Sequence, residues 1–293
     1  MKIEKTLYRQ FGAAAPAEIV PTNLVGKIMG KLEDVILDAH WLAIHGEILS
    51  GKTRTARHCM QQLQKKYNDR IEVVNLYWPE RSGINISEVL NQIIFTLGKK
   101  YGNSGGRPRR GRELRMLQVL DILIEARRQD KYVVLIIDEA HELHTMTIKA
   151  LKRIWEYEYA GQSDLIGILL IGQPALETKL ASDKEVSERA YRMEFTYSRH
   201  EREMIAKHIL QGMLSDDDIA QIAATYSEVG RIKSEIRKGM IKAETLGDES
   251  LQMKHITLET IKRENDKRAE KMKVNRRKMS EIEAGLLTGR KAI

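Results

Sequence analysis

The sequence predicts an α/β fold, with a doubly wound, mostly parallel sheet and a smaller C-terminal helical lid. Apolar, β-branched runs typical of buried parallel strands occur at 132–137 and 165–171, and helical patterns separate them. A glycine-rich phosphate-binding signature begins at Gly46, between a strand pattern and a helix pattern. Strand patterns stop after Phe195, so the chain beyond it is expected to form helices alone.

Each predicted element follows from a local pattern. Apolar residues recur at helical spacing over 23–39, and the short apolar run 41–44 enters a glycine turn as a buried strand would. The stretch from Gly102 to Pro108 contains too many helix and strand breakers for regular structure and is predicted to be an exposed loop. Helical patterns continue over 199–262. The remaining predicted elements are strand 71–76 and helices 53–67, 86–97, 112–128 and 147–159.

Basic residues are concentrated in two segments of the chain. The whole sequence carries a net charge of +8, from 49 lysines and arginines against 41 acidic residues. Residues 99–115 hold seven basic side chains and one acidic one, and residues 262–293 hold eleven against five, so each segment carries +6. The rest of the chain is slightly acidic, at −4. This separation favours a polyanionic partner such as DNA or RNA, with solvated surface charge as the alternative for either segment.

Composition restricts the class of protein. With 42% hydrophobic and 31% charged residues, the 293-residue chain is typical of a globular protein with a substantial core. Its longest apolar runs, 133–137 and 166–171, are far below the ~20 residues of a membrane span. The first residues lack the apolar stretch of a secretory signal, and the single cysteine, Cys59, excludes an internal disulfide. We therefore expect a cytoplasmic protein without a membrane partner.

Residues 46–53 fit the P-loop pattern G-x-x-x-x-G-K-[ST] in the expected strand–helix context. Glycines allow the backbone N–H groups to point at phosphates, and the following helix N-terminus adds positive potential. Lys52 is expected to reach the β- and γ-phosphates of ATP, and the Thr53 hydroxyl to ligate Mg²⁺. A coincidental glycine turn is the alternative. The predicted nucleotide-binding residues here are Gly46, Glu47, Ile48, Leu49, Ser50, Gly51, Lys52, Thr53 and Thr55.

A pair of carboxylates follows the apolar strand 132–137. Ligands of open α/β sheets bind beyond the carboxyl ends of the strands, where Asp138 and Glu139 are expected to lie. Asp138 would hold Mg²⁺ through water, and Glu139 would polarise the attacking water as general base. An acidic start of a loop is the alternative. His141 completes a helicase-like Asp-Glu-Ala-His string, but no further helicase motif follows it.

These motifs predict an ATPase that uses ATP and Mg²⁺. The predicted organisation is an N-terminal arm (1–22), an α/β nucleotide-binding domain (23–198), a helical lid (199–261) and a basic helical tail (262–293).

The order of the motifs resembles the AAA+ target-selection ATPases of DNA transposition, the family of the phage Mu B protein and TnsC-like proteins. The similarity covers roughly residues 18–245, and it includes Ile19-Val20-Pro21, the basic loop 106–111 and the lid segment 230–237. It implies an AAA+ fold whose nucleotide lies between subunits of a ring or helical filament, with Val20 and Pro21 near the adenine. It also implies ATP-driven assembly on duplex DNA, recruitment of a transposase, a target-selector protein as a further candidate partner, and disassembly on hydrolysis.

The same resemblance implies roles for three more residues. Gln173 follows a strand at the sensor 1 position, which orients the nucleophilic water, but the family has asparagine or threonine there and Gln173 could instead cap the next helix. Arg189 lies where a finger would reach the γ-phosphate of the neighbouring subunit, with Arg192 as the competing candidate. Arg231 corresponds to sensor 2, with a surface salt bridge as the alternative.

Arginines of the basic loop are the predicted DNA contacts. If the loop faces a central channel, each subunit makes a few weak, salt-sensitive phosphate contacts, and many subunits on one duplex multiply them. No base-reading pattern accompanies the arginines, so we expect little sequence specificity. The tail over 262–293 has three open roles: DNA contact, protein docking or a solvated helix. The predicted DNA-binding residues are Arg107, Arg109, Arg110 and Arg112.

Two other functions are compatible with the motifs. Residues 172–176, Gly-Gln-Pro-Ala-Leu, are similar to secretion-associated ATPases of the ExeA type, which act on protein partners. Those proteins carry a membrane span and a wall-binding domain, neither of which is recognisable here. A helicase-loader-like ATPase is the other alternative. ATPase activity stimulated by DNA would favour the transposition hypothesis over the secretion hypothesis.

Overall fold

The computed structural model describes residues 19–76, 85–102, 105–158, 164–210, 212–248 and 250–256. These residues divide into two compact units. The larger unit comprises 19–202 with 227–231, and the smaller one comprises 203–226 and the residues from 232 onwards. The predicted basic tail and residues 1–18 of the predicted arm lie outside the described residues.

The larger unit is built on a five-stranded sheet with the strand order β2-β3-β4-β1-β5. Every strand pair is parallel. Parallel neighbours require a crossover connection, and the helices between the strands supply it, which confirms the predicted α/β fold. The strands are β1 (Trp41–His45), β2 (Ile71–Leu76), β3 (Tyr132–Ile137), β4 (Gly167–Gly172) and β5 (Ala190–Glu194).

Helices connect the strands and make up most of the rest of the described chain. The helices are α1 (Asn23–Leu37), α2 (Lys52–Tyr67), α3 (Ile86–Tyr101), α4 (Arg112–Arg128), α5 (Thr145–Trp155), α6 (Ala175–Ala181), α7 (Lys184–Arg189), α8 (Arg199–Leu210), α9 (Asp216–Thr225) and α10 (Val229–Thr245). Within the described residues, no helix is both long and apolar enough to cross a membrane.

The apolar runs of the sequence become the centre of the sheet. Residues Val133–Ile137 and the whole of β4 are buried, as expected for parallel strands covered on both faces. Helices α3 and α4 pack against this sheet, with Leu90, Ile93 and Leu123 fully buried. The core therefore fixes the central strands, and their carboxyl ends, as a rigid platform.

Strand β5 is absent from the sequence-based prediction. Its sequence, Ala-Tyr-Arg-Met-Glu, has no apolar run, and only Ala190 is buried. The strand forms because it pairs along β1 at the edge of the sheet, so its stability depends on backbone hydrogen bonds more than on burial. Helix bounds also differ from the predicted ones: α3 continues to Tyr101 instead of ending at 97, and α5 runs from Thr145 to Trp155 instead of over 147–159.

Gly167, the first residue of β4, allows a close approach between the sheet and α1. A Cβ atom at this position would lie 2.0 Å from the carbonyl oxygen of Val35 and 2.8 Å from its Cγ1. Backbone atoms of a packed helix cannot turn aside as a flexible side chain can. By contrast, a Cβ atom at Gly30, within α1, would meet no heavy atom within 4 Å.

Gly167→Ala is therefore expected to lower the free energy of unfolding by about 1–3 kcal/mol or more, the usual cost of overpacking. Gly30→Ala is the matched control and should raise it by up to ~1 kcal/mol, because alanine has the higher helix propensity. Chemical denaturation of both variants measures the difference. Equal stability of the two proteins would contradict the close approach of β4 to α1.

Candidate nucleotide-binding site

The P-loop joins β1 to α2 at the carboxyl edge of the sheet. The Gly46 N–H donates to the carbonyl oxygen of Gly172 at 3.2 Å, so the loop leaves the sheet beside β4. A Cβ atom at Gly46 would lie 2.7 Å from the carbonyl oxygen of Phe195, which explains the requirement for glycine. Gly51 has φ +102° and offers no side-chain cap to α2. The first N–H groups of α2 have no intrahelical acceptor and suit an anionic ligand.

The Lys52 side chain folds back under the P-loop. Its Nζ donates to the carbonyl oxygens of Gly46 at 2.8 Å and Glu47 at 2.7 Å, and the residue is only 9% exposed. Burial lowers the pKa of the Lys52 ammonium group, whereas the carboxylates of Glu139 and Asp138 act in the opposite direction. Carbonyl oxygens are neutral acceptors, whereas phosphate oxygens carry negative charge and would stabilise this buried cation better.

A hydroxyl and a carboxylate meet beside Lys52. The Thr53 Oγ1 donates to Asp138 Oδ1 at 3.1 Å, and the Glu139 N–H donates to the same oxygen at 3.1 Å. Hard oxygen ligands of this kind are the ones that Mg²⁺ prefers, so the residues present fit a nucleotide-bound Mg²⁺ ion. Arg57 Nη2 lies 3.5 Å from Asp138 Oδ2. Arg57 is not among the residues predicted from the sequence, because no motif marks it and the contact depends on how α2 packs.

The carboxylate of Glu139 is 66% exposed and faces a histidine. Its Oε2 lies 3.4 Å from His141 Nδ1, and the backbone N–H of Gln173 is directed at the same nitrogen at 3.5 Å. His141 is 12% exposed, and its Nε2 lies 3.4 Å from Glu142 Oε1. The histidine of the helicase-like string thus connects the end of β4 to the candidate general base. The Asp-Glu-Ala-His sequence alone did not predict this contact.

Both candidate arginine fingers form ion pairs within their own subunit. Arg189 Nε lies 2.8 Å from Glu156 Oε1, with its side chain 42% exposed. Arg192 Nη1 lies 2.7 Å from Glu177 Oε1, with its side chain 32% exposed. The other oxygen of Glu177 lies 3.4 Å from His45 Nε2, on the strand that leads into the P-loop.

The segment before the sensor 2 candidate rests on the P-loop. The Gly230 N–H donates to the carbonyl oxygen of Leu49 at 2.8 Å, and a Cβ atom at Gly230 would lie 2.5 Å from that oxygen. Leu49 itself has φ +64°, an uncommon backbone conformation for leucine. The half-buried Arg231 therefore follows directly after a backbone contact with the phosphate-binding loop.

The adenine-pocket candidates stand just before α1. Val20 is half-buried and Pro21 is exposed. On α2, the Thr55 hydroxyl lies 3.3 Å from the hydroxyl of the buried Tyr197, whose pKa is raised by burial while the Thr55 contact lowers it. Tyr197 was missed by sequence analysis, because a lone tyrosine after the last strand carries no motif.

The predicted DNA-contacting arginines occupy the connection between α3 and α4. Arg107, Arg109 and Arg110 lie in the loop, and Arg112 is the first residue of α4. The side chains of all four are exposed. The guanidinium groups of this connection are therefore accessible to solvent.

Comparisons with known proteins agree with this architecture. Residues 37–180 match a protein-family model described as an AAA domain. The fold is similar to that of Cdc6p from Pyrobaculum aerophilum, at 18% identity and a TM-score of 0.59, covering 80% of this chain and 66% of that one. It is also similar to the ORC2 protein of Aeropyrum pernix in ADPNP–ADP complexes, at 16% identity and a TM-score of 0.57, covering 82% and 66%.

The ORC1 protein of Aeropyrum pernix, solved in complex with DNA, is similar as well. It is 15% identical with a TM-score of 0.58, and the alignment covers 88% of this chain and 68% of that one. No curated protein sequence gives a significant match.

These similarities confirm the AAA+ P-loop fold. At such identities a structural likeness shows the fold alone, and this chain spans just under two thirds of the first two relatives. The AAA domain match, together with the complete P-loop and the paired carboxylates, supports ATPase activity. The comparisons reveal no transposition-specific family, so that part of the resemblance stays a prediction.

Lys52→Ala is expected to weaken ATP binding by roughly 10- to 100-fold, because a hydrogen bond to a charged group contributes about 1.5–3 kcal/mol. Lys65→Ala, which removes an exposed lysine from the last turn of α2, is the matched control and should bind ATP normally. Isothermal titration calorimetry compares the two variants. Unchanged affinity in the Lys52 variant would remove this lysine from the site.

Glu139→Gln is expected to bind ATP but to hydrolyse it about 10²- to 10⁴-fold more slowly, because the amide cannot accept the proton of the attacking water. Glu142→Gln makes the same chemical change on a carboxylate that also faces His141 and should retain near-normal turnover. Steady-state phosphate release measures both. Normal turnover in the Glu139 variant would assign the general base to another group.

Proposed function

We propose that this chain, which carries an AAA domain over residues 37–180, is an ATP-dependent regulator of DNA transposition that assembles on duplex DNA. In this proposal the homo-oligomer, a ring or helical filament, marks target DNA and recruits or activates a transposase. ATP hydrolysis then drives disassembly. A target-selector protein is a further candidate partner, and the expected location is the cytoplasm. The DNA-binding part of the proposal rests on a loop of exposed arginines that belongs to the same unit as the P-loop.

The residues at the sheet edge have separate tasks in ATP hydrolysis. Lys52 and the N-terminus of α2 bind phosphate oxygens, and Thr53 and Asp138 hold Mg²⁺. Bound Mg-ATP would supply the phosphoryl group, and the metal would neutralise part of the negative charge on the phosphate oxygens. Glu139 accepts the proton of the attacking water. His141 lies beside its carboxylate, and the backbone N–H of Gln173 is directed at His141.

We assign the finger role to Arg189 rather than to Arg192. Arg189 ends a short helix and is the more exposed of the two, whereas the partner of Arg192, Glu177, also faces the strand before the subunit's own P-loop. In an oligomer, a neighbouring γ-phosphate would replace Glu156 as the partner of Arg189. Arg231 is the sensor 2 candidate, because Gly230 keeps it beside the P-loop.

We expect the arginine side chains to bind the phosphates of the DNA backbone. Exposed guanidinium groups without aromatic or base-reading neighbours favour backbone contacts, which position a protein without reading sequence. Each contact is weak at physiological salt, so a single subunit would dissociate readily. Linking many subunits on one duplex raises the effective concentration of every loop and makes the assembly stable. A protein of similar fold, the ORC1 protein of Aeropyrum pernix, was solved in complex with DNA.

Sedimentation of the protein with duplex DNA tests the proposal in the presence of ATP, a slowly hydrolysed analogue or ADP. We expect large DNA-bound assemblies with ATP or the analogue and their loss with ADP, because the nucleotide lies at the proposed subunit interface. If no nucleotide state yields DNA-dependent assembly, the proposal is wrong, and a function on protein partners, as in secretion or helicase loading, takes its place.

The arginine contribution is tested by alanine substitution of Arg107, Arg109 and Arg110 together. We expect weaker DNA binding. The slope of log affinity against log salt concentration should become less steep by up to about 3, since each lost duplex phosphate contact reduces it by about 0.9. ATP binding should be unchanged. A control with the same loss of charge replaces three exposed basic residues elsewhere on the larger unit, Lys65, Arg128 and Lys184. Equal DNA affinity in the two triple variants would mean that the DNA contact lies outside the loop.

A further inference from the structure

The connection between α3 and α4 has a defined backbone shape. We name residues 105–111 the arginine loop. Its three glycines, Gly105, Gly106 and Gly111, have φ values of +62°, +80° and +90°. Glycine adopts such angles at little cost, whereas other residues rarely do. The glycines therefore bend the backbone at the two ends of the loop, and Arg107, Arg109 and Arg110 lie between these bends.

The first part of the arginine loop is seated on α3. Gly106 is buried, and a Cβ atom at Gly98 would lie 3.0 Å from its Cα atom. A Cβ atom at Gly106 itself would lie 3.1 Å from Cγ of Lys99. The loop backbone is thus packed against the helix and has little room to move on that side.

A single buried amide holds the middle of the arginine loop. Gln118, on α4, is 3% exposed. Its Nε2 donates to the carbonyl oxygen of Arg107 at 2.9 Å, and its Oε1 accepts the N–H of Arg109 at 2.9 Å. The two bonds bracket Pro108, which has no N–H of its own. The backbone of the two arginines is therefore held from inside the protein while their side chains are exposed.

The far end of the arginine loop is fixed in a similar way. Arg115 Nε donates to the carbonyl oxygen of Gly111 at 3.2 Å, and its Nη1 donates to Oδ1 of Asn91 on α3 at 3.0 Å. Arg115 is thus used for structure, whereas the side chains of Arg107, Arg109 and Arg110 are exposed and accessible to a ligand.

We propose that Gln118 is a positioning residue that preorganises the arginine loop for the phosphates of duplex DNA. This inference rests on the proposed DNA-binding function. It gives a role in DNA binding to an uncharged residue that lies outside the basic segment 99–115. A flexible loop loses conformational entropy for every residue that becomes ordered on binding, and a preformed loop avoids that loss. Gln118 thereby raises affinity without touching the nucleic acid.

Gln118→Met tests the role, because methionine keeps the length of the side chain and removes the hydrogen bonds to the backbone of Arg107 and Arg109. We expect DNA affinity in the presence of the ATP analogue to fall between about fivefold and thirtyfold, the range that corresponds to one or two such bonds. The slope of log affinity against log salt should stay unchanged, since every arginine is present. Gln62→Met, the same change at an exposed position of α2, should bind DNA like the unmodified protein.

Arg109→Ala is expected to behave differently from Gln118→Met. It should lower both the affinity and the salt slope, the latter by about 0.9, because a phosphate contact is removed. A Gln118→Met variant that binds DNA normally, or one whose slope falls as in Arg109→Ala, would overturn the positioning role. ATP binding by each variant verifies that the P-loop unit is folded.

Hydrogen exchange in the unmodified protein gives a second test that needs no variant. The Arg109 amide should exchange slowly in the absence of DNA, because its N–H is donated to a buried oxygen. Rapid exchange would mean that Gln118 does not order the loop. The proposed function fails separately, when the unmodified protein shows no DNA-dependent assembly in any nucleotide state.

Discussion

The parallel register of β1, β3 and β4 determines where the groups at the nucleotide site lie. β4 is central, with His45 of β1 level with Gly172 and Ile137 of β3 level with Leu170. The three strands therefore end at one edge of the sheet, and the loops that follow them leave it close together. The hydrogen bond between Thr53 and the carboxylate that follows β3 depends on this register. A shift of one strand by a single residue would separate the P-loop from the acidic pair.

In the proposed function, the protein presents positive charge to phosphates in two physically different ways. Lys52 is almost fully buried, and because burial disfavours the charged ammonium, a bound anion would relieve a cost already present in the fold. The arginines of residues 105–112 are exposed, so water and salt screen each of them. The first arrangement suits one tightly held nucleotide. The second suits a long polyanion shared by many subunits, and it gains from a rigid loop backbone because no single contact is strong.

Local signals in the sequence were sufficient to predict the parallel α/β sheet and the position of the P-loop and the acidic pair at its edge. Continuous apolar runs predicted β3 and β4, because strands buried on both faces have no polar side to interrupt them. The glycine and lysine spacing predicted the P-loop, and the acids after β3 predicted Asp138 and Glu139 at the sheet edge. Strand β5 escaped prediction, since an edge strand held by backbone pairing leaves no hydrophobic pattern.

The sequence by itself thus determined the order of the elements, the P-loop and the acidic pair, because each is encoded in neighbouring residues. Only the tertiary structure decided which distant side chains meet. The Thr55–Tyr197 contact joins residues 142 positions apart, and no local pattern specifies it. The ion pair of Arg189 with Glu156 and the burial of Gln118 beneath the arginine loop depend likewise on how helices pack. Side-chain contacts of this kind are fixed by the three-dimensional packing of the whole unit, which spacing along the chain does not record.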